Sequence, residues 1–248
     1  MRRLTGSLQD INAPYSAEGF AKRARILGHG LDRAGWMMDQ PLSYGVDAGR
    51  EVDENDRVID TRRLEEYFSP DSWRKAAVLV PVVAREPEPT VLLTLRTSHL
   101  NSHGGQIAFP GGKIEGQDAT PVDAALREAW EEVGLPPQQV TPLSLLDLHN
   151  TGTGYRILPV LGIVDPAFVP KPHPGEVAEI FEVPLSFLMQ EQNHVKHYRQ
   201  WRDRRILFYA MTYEERFIWG ATAAILRNLF DRLYGDETGA IDLMEPRD

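Results

Sequence analysis

Residues 111–135, Gly-Gly-Lys-Ile-Glu-Gly-Gln-Asp-Ala-Thr-Pro-Val-Asp-Ala-Ala-Leu-Arg-Glu-Ala-Trp-Glu-Glu-Val-Gly-Leu, join a glycine pair to a stretch with helical punctuation. Thr120 suits an N-cap, Pro121 the first helical position, and Asp123 the acid of a capping box. Gly134 supplies a left-handed stop, and Pro136 follows it. The spacing predicts a helix from Pro121 to Val133. At roughly 100° per residue, Val122, Ala125, Leu126, Ala129, Trp130 and Val133 share one core-facing arc. Glu128, Glu131 and Glu132, at i, i+3 and i+4, fall in the adjoining arc, with Arg127 flanking Glu131. The acids are therefore expected at the rim of the buried face, where a cleft can form.

An acidic run on a helix is ordinarily a solvated face. Here Glu128 and Glu132 form a like-charge i, i+4 pair, which costs roughly 0.2–0.5 kcal/mol, with no lysine nearby. They also lie toward the helix C-terminus, where the dipole disfavours negative charge. A bound divalent cation removes both penalties, and hard carboxylate oxygens are what Mg²⁺ or Mn²⁺ takes. Spacing alone leaves the solvated face and the metal site both open.

Residues 127–135, Arg-Glu-Ala-Trp-Glu-Glu-Val-Gly-Leu, resemble the C-terminal half of the Nudix box at every position. The first half departs from that pattern: Asp118 stands where a glutamate is usual, and one extra residue separates it from Arg127. Upstream, 92–96 (Leu-Leu-Thr-Leu-Arg) and 103–112 (His-Gly-Gly-Gln-Ile-Ala-Phe-Pro-Gly-Gly) resemble a block found in the coenzyme A diphosphatase branch. Thr97 replaces the usual Ser or Ala there, and Asn101 replaces a second basic residue. Residues 154–160 and 217–223 are similar to the same branch, so the resemblance spans roughly residues 75–235.

The resemblance implies a Nudix fold, an α/β (α+β mixed) architecture with a mixed β-sheet sandwiched between helices. It implies metal-dependent hydrolysis of a diphosphate linkage in a nucleoside diphosphate derivative. Coenzyme A or acyl-CoA, cleaved to 3′,5′-ADP and (acyl-)phosphopantetheine, is the first expectation, with ADP-ribose, NADH or dinucleoside polyphosphates as the alternative. In the family pattern Glu128 and Glu132 are the principal metal ligands and Glu131 a further one, holding Mg²⁺ or Mn²⁺, while Arg127 orients the cluster. The base is drawn from Glu131 or from Glu176, with Glu179 behind it. Two metal ions can clamp the attacking and leaving oxygens of such a displacement. A non-catalytic Nudix-like nucleotide-binding regulator is the reading from another class, and the intact glutamate set argues against it.

Other residues carry weaker signals. Gly111 and Gly112, without a Cβ, let a ligand approach closely or the chain turn tightly. Arg96, at the end of a predicted strand, is a candidate phosphate contact. Tyr155, in a glycine-rich loop, is a candidate either for stacking on a base or for packing on the sheet. His103 is a lone histidine in a polar loop and receives no catalytic role.

The 248 residues carry a net charge of −9, which argues against non-specific binding to nucleic acid or an anionic membrane. An anionic small-molecule substrate remains compatible, because a metal inverts the local charge. Cysteine is absent, which excludes disulfides, thiol catalysis and thiolate-held zinc. No apolar run approaches the ~18 residues of a membrane span, and no apolar stretch follows the basic start of the chain. A cytoplasmic protein is expected, and the resemblance implies a homodimer. The expected organisation is an N-terminal extension over 1–70, part loop and part helix, a Nudix hydrolase domain over 71–236, and a tail over 237–248. Residues 1–20 read as a loose arm, and apolar spacings at Phe20, Ala24, Ile26, Leu27 and Leu31 suggest a short helix within 21–35. Apolar runs predict strands at 76–83, 91–95, 106–109, 140–148, 156–164, 179–183, 194–198 and 206–211, with a closing helix over 220–234.

Overall fold

The structure, a computed structural model, describes residues 14–40, 46–47, 50–51, 73–98, 104–201 and 204–235. Asn101 and His103 lie outside these residues, as do most of 41–72 and the tail. Among the described residues thirteen strands run in chain order: β1 (Val46–Asp47), β2 (Arg50–Glu51), β3 (Arg74–Val83), β4 (Thr90–Arg96), β5 (Ile107–Ala108), β6 (Gly111–Lys113), β7 (Val140–Leu145), β8 (His149–Asn150), β9 (Tyr155–Val164), β10 (Val177–Pro184), β11 (Val195–Trp201), β12 (Arg204–Tyr213) and β13 (Arg216–Ile218). The helices are α1 (Ala17–Leu27), α2 (Ala34–Met38), α3 (Pro121–Val133), α4 (Leu185–Leu188) and α5 (Gly220–Leu233).

β3 and β9 pair in parallel over their full lengths, from Arg74 beside Tyr155 to Val83 beside Val164. Strands so placed are covered on both faces and read as nearly continuous apolar runs. Antiparallel β4 and β10 extend the sheet on one side, and β7 and β8 pair with β9 on the other. The result is a mixed sheet of nine strands among the described residues.

The two faces of β3 separate two cores. Ala77, Leu79 and Val83 face Ala124, Ala125, Ala129 and Val133 of α3. Val80 and Val82 belong with Phe20 and Ala24 of α1 and with Leu226, Leu229 and Leu233 of α5. The expected sheet between helical layers is observed. A second, four-stranded sheet of β11, β12, β13 and β2 was not foreseen, because a hairpin partner as short as β13 leaves little periodic signal.

The N-terminal segment takes part in both cores. Ser16 caps α1 by accepting a hydrogen bond from the Gly19 amide at 3.0 Å, and the helix ends at Leu27. The expected loose arm therefore gives way to helix from Ala17, and Ile26 is exposed. Beyond Gly28, His29 forms a backbone bridge with Leu145, and the chain then crosses to the opposite core, where Met37 and Met38 are buried.

Candidate active site

α3 forms where its punctuation places it. The Thr120 hydroxyl oxygen accepts from the Asp123 amide at 3.2 Å, and Gly134 takes the left-handed conformation with φ 69°. Its buried face differs from the expected one. Ala124, Ala125, Ala129, Val133 and Glu132 are enclosed, Val122 and Leu126 are half-buried, and Trp130 is 52% exposed. The reason is the surface that α3 meets. β6 begins with two glycines, so the helix comes close there with its small residues and its acids, and the bulky indole turns outward.

The two glycines do different things. Gly111 has φ 155°, and a Cβ there would lie 2.5 Å from the Ala77 carbonyl oxygen and from the Val78 Cα. Gly112 faces a side chain: a Cβ there would lie 2.5 Å from the Glu128 carboxylate. Glu128 thus occupies the space that the missing side chain leaves.

Glu132 is the buried acid of the set, with its side chain only 3% exposed. One carboxylate oxygen accepts from the Gly111 amide at 3.1 Å and the other from Arg96 Nη1 at 3.2 Å. Burial pushes the Glu132 carboxyl up to about 7, against the Gly111 amide and Arg96, and the charges of Glu128 and Glu176 push the same way. Burial also raises Glu128; Arg127 opposes that rise, and Glu131 and Glu176 add to it.

Glu176 arrives from another element. The Lys171 and His173 amides bond the Val133 and Glu132 carbonyls at the end of α3, and the Thr97 amide bonds the Glu176 carbonyl at 3.0 Å. This turn leaves the Glu176 side chain exposed, near enough to Glu128 and Glu132 for its charge to act on both.

Arg127 ties the glycine loop to the helix. Its guanidinium donates to both oxygens of Asp118 at 2.9 and 3.0 Å, to the Lys113 carbonyl at 3.1 Å, to Glu128 at 3.0 Å and to Glu131 at 3.1 Å. Asp118 also accepts from the Glu115 amide at 2.7 Å, and Arg127 holds its carboxyl below the ordinary range. The departure at Asp118 is thereby accounted for: a shorter acid on a loop one residue longer still reaches the arginine.

The remaining expected residues fall as follows. Glu131 lies on the solvent side, 53% exposed, and is held by Arg127. Glu179 pairs with Arg216 of β13 instead of joining the acids. Arg96, expected to face a phosphate, donates to Glu132. Tyr155 lies beneath the Arg74 guanidinium, 3.9 Å from its ring centroid, at the start of β9. The Arg96–Glu132 pair and the Thr97–Glu176 contact went unforeseen because both depend on strand ends that only the sheet register brings beside α3.

The donor set suits a hard divalent cation. All the acids are oxygen donors, Glu128 rests in the space over Gly112, and the buried Glu132 carries the repulsion of two neighbouring carboxylates. Among the described residues no three Asp, Glu or His side chains converge on one point, since Arg96 and Arg127 each draw carboxylates toward themselves.

The NUDIX domain family matches residues 73–204. Proteins described as "Uncharacterized Nudix hydrolase NudL" from Salmonella paratyphi B and Salmonella newport are each 44% identical over 158 residues, covering 63% of this chain and 81% of the relative. A solved Nudix hydrolase from M. smegmatis, RenU, is 24% identical over 56% of this chain and 81% of that one, with a TM-score of 0.39. More than half of the chain falls within the family domain, and the chain belongs to the Nudix family as a Nudix hydrolase.

Proposed function

We propose that this hydrolase is a metal-dependent diphosphatase that cleaves coenzyme A or its acyl esters to 3′,5′-ADP and (acyl-)phosphopantetheine. The observation that carries the diphosphatase reading is the seating of two acids of α3 on the glycines of β6, Glu128 in the space over Gly112 and the buried Glu132 on the Gly111 amide. The coenzyme A reading rests on the resemblance of 92–96 and 103–112 to that branch.

In this reading Glu128 and Glu132 hold Mg²⁺ or Mn²⁺, with Glu131 a further ligand. When bound, the ion supplies charge neutralisation of the diphosphate and of the leaving oxygen. Glu176, exposed to water beside the set, takes the proton of the attacking water, and Glu131 is the alternative base. Gly111 and Gly112 let β3 and the Glu128 carboxylate come close to the loop, which sets the acids where the phosphates and the ion would meet them. Arg127 keeps that loop and the acids in one frame, and Tyr155 offers its ring to the nucleotide base.

The test is a substrate panel of coenzyme A, acetyl-CoA, ADP-ribose, NADH and a dinucleoside polyphosphate, each with Mg²⁺ and with Mn²⁺, the products separated by mass. The expected result is highest kcat/KM on coenzyme A or its ester, and near-complete loss of turnover in Glu132→Gln with folding intact. Preference for ADP-ribose would overturn the substrate, and full activity in Glu132→Gln would overturn the metal site.

A further inference from the structure

We propose that Arg96 is a positioning residue for Glu132, fixing the plane of that carboxylate for a divalent cation instead of binding the substrate diphosphate. The inference rests on the reading of Glu132 as a metal ligand.

The backbone of Arg96 is held from both sides. Its amide donates to the Gln106 carbonyl at 3.0 Å, and its carbonyl accepts from the Gly105 amide at 3.1 Å. Val177 of β10 sits across from it, and the next residue, Thr97, binds the Glu176 carbonyl. The end of β4 is therefore a fixed point shared by the loop before β5 and the turn that carries Glu176.

From that point the side chain reaches inward. It is 23% exposed, and among the described residues the hydrogen bond that its guanidinium donates goes to Glu132. Glu132 in turn has one donor on each oxygen, Arg96 on one and the Gly111 amide on the other. The terminal torsion of a glutamate is broad, and a carboxylate held at one oxygen swings about that bond. Held at both, it cannot swing. An ionised carboxylate offers about four acceptor directions, so both oxygens keep room for a cation. Partners that orient a metal ligand in this way usually change metal affinity about 10–100-fold when lost.

A substrate clamp would have to behave differently. Moving the guanidinium to a diphosphate would strip the buried Glu132 of its cationic partner, and breaking a buried pair from one side is costly.

The test uses the full chain with Mn²⁺ alone, the free ion followed by electron paramagnetic resonance, for the parent, Arg96→Met and Arg96→Lys. The expected result is Mn²⁺ binding weakened about 10-fold or more in Arg96→Met and partly restored in Arg96→Lys. With Mn²⁺ saturating, KM for the preferred substrate should stay within about threefold of the parent. Unchanged Mn²⁺ binding overturns the proposal, whether or not KM rises; a raised KM would make Arg96 a substrate contact. If Arg96→Met loses its cooperative thermal transition, Arg96→Lys and Arg96→Gln carry the comparison. Glu132→Gln measured in parallel separates the two ideas, because normal Mn²⁺ binding in that variant removes the metal reading itself. In the Glu132→Gln background, Arg96→Met should add no further loss, whereas a purely structural role would still show one.

Discussion

At the scale of single residues, the adjoining glycines of β6 should respond differently to the same methyl group. In Gly111→Ala the new carbon meets backbone at 2.5 Å and φ is 155°, so the strand itself has to move. A loss of ~2–3 kcal/mol in urea unfolding is expected. In Gly112→Ala the obstacle is the mobile end of Glu128, so stability should hold while Mn²⁺ affinity falls. Equal destabilisation by the two variants would contradict this division. Glu132 gives a second expectation, in the metal-free protein. Its carboxyl is raised from 4.5 to about 7 by burial. Between those values the native chain binds a proton that the unfolded chain has released, so stability falls as pH rises through the window. One such group is worth about 3 kcal/mol across it. Denaturation in chelator at pH 5 and pH 8 should show this fall in the parent and a much flatter profile in Glu132→Gln.

At the scale of elements, α3 and its preceding loop act as one unit because Arg127 fastens Asp118 and the Lys113 carbonyl to the helix. Asp118→Ala leaves that partly buried fork short of its main partner. It should cost ~1–3 kcal/mol and lower kcat; a stability change below ~0.5 kcal/mol would make the link a surface pair of little consequence. The ends of α3 were legible in the sequence, since Thr120, Pro121 and Gly134 act through local backbone chemistry. Its rotation was not. Periodicity counted Trp130 as core and left Glu132 at the rim, whereas the side-chain-free surface of β6 reversed the two. The acids of α3 could be named from spacing and resemblance, and Glu176 from resemblance alone. Their partners Arg96 and Thr97 depend on the pairing of β4 with β10, which no local pattern encodes.

For the molecule as a whole, the segment before the family domain contributes to the core. Phe20 is fully buried among residues of the sheet and α5, so Phe20→Ala should cost ~3–5 kcal/mol despite lying outside residues 73–204. A loss below ~1 kcal/mol would mean that α1 is only loosely attached. Asp147 joins the same parts. Burial would raise its carboxyl, but His29, Asn228 and Arg232 together hold it well below the ordinary range. Its contribution is present at neutral pH and is lost as the solution is acidified below about pH 4. The pairing of α1 with α5 also sets an order of events during synthesis. Arg23 bonds the Leu233 carbonyl across 210 residues of chain, and Tyr15 stacks on Tyr234. At ~5–20 residues per second, a ribosome needs ~10–40 s to make the intervening chain. Throughout that time α1 can rest on the sheet but lacks α5, so the seam between these two helices is the last part of this core to close and the one most in need of chaperone cover.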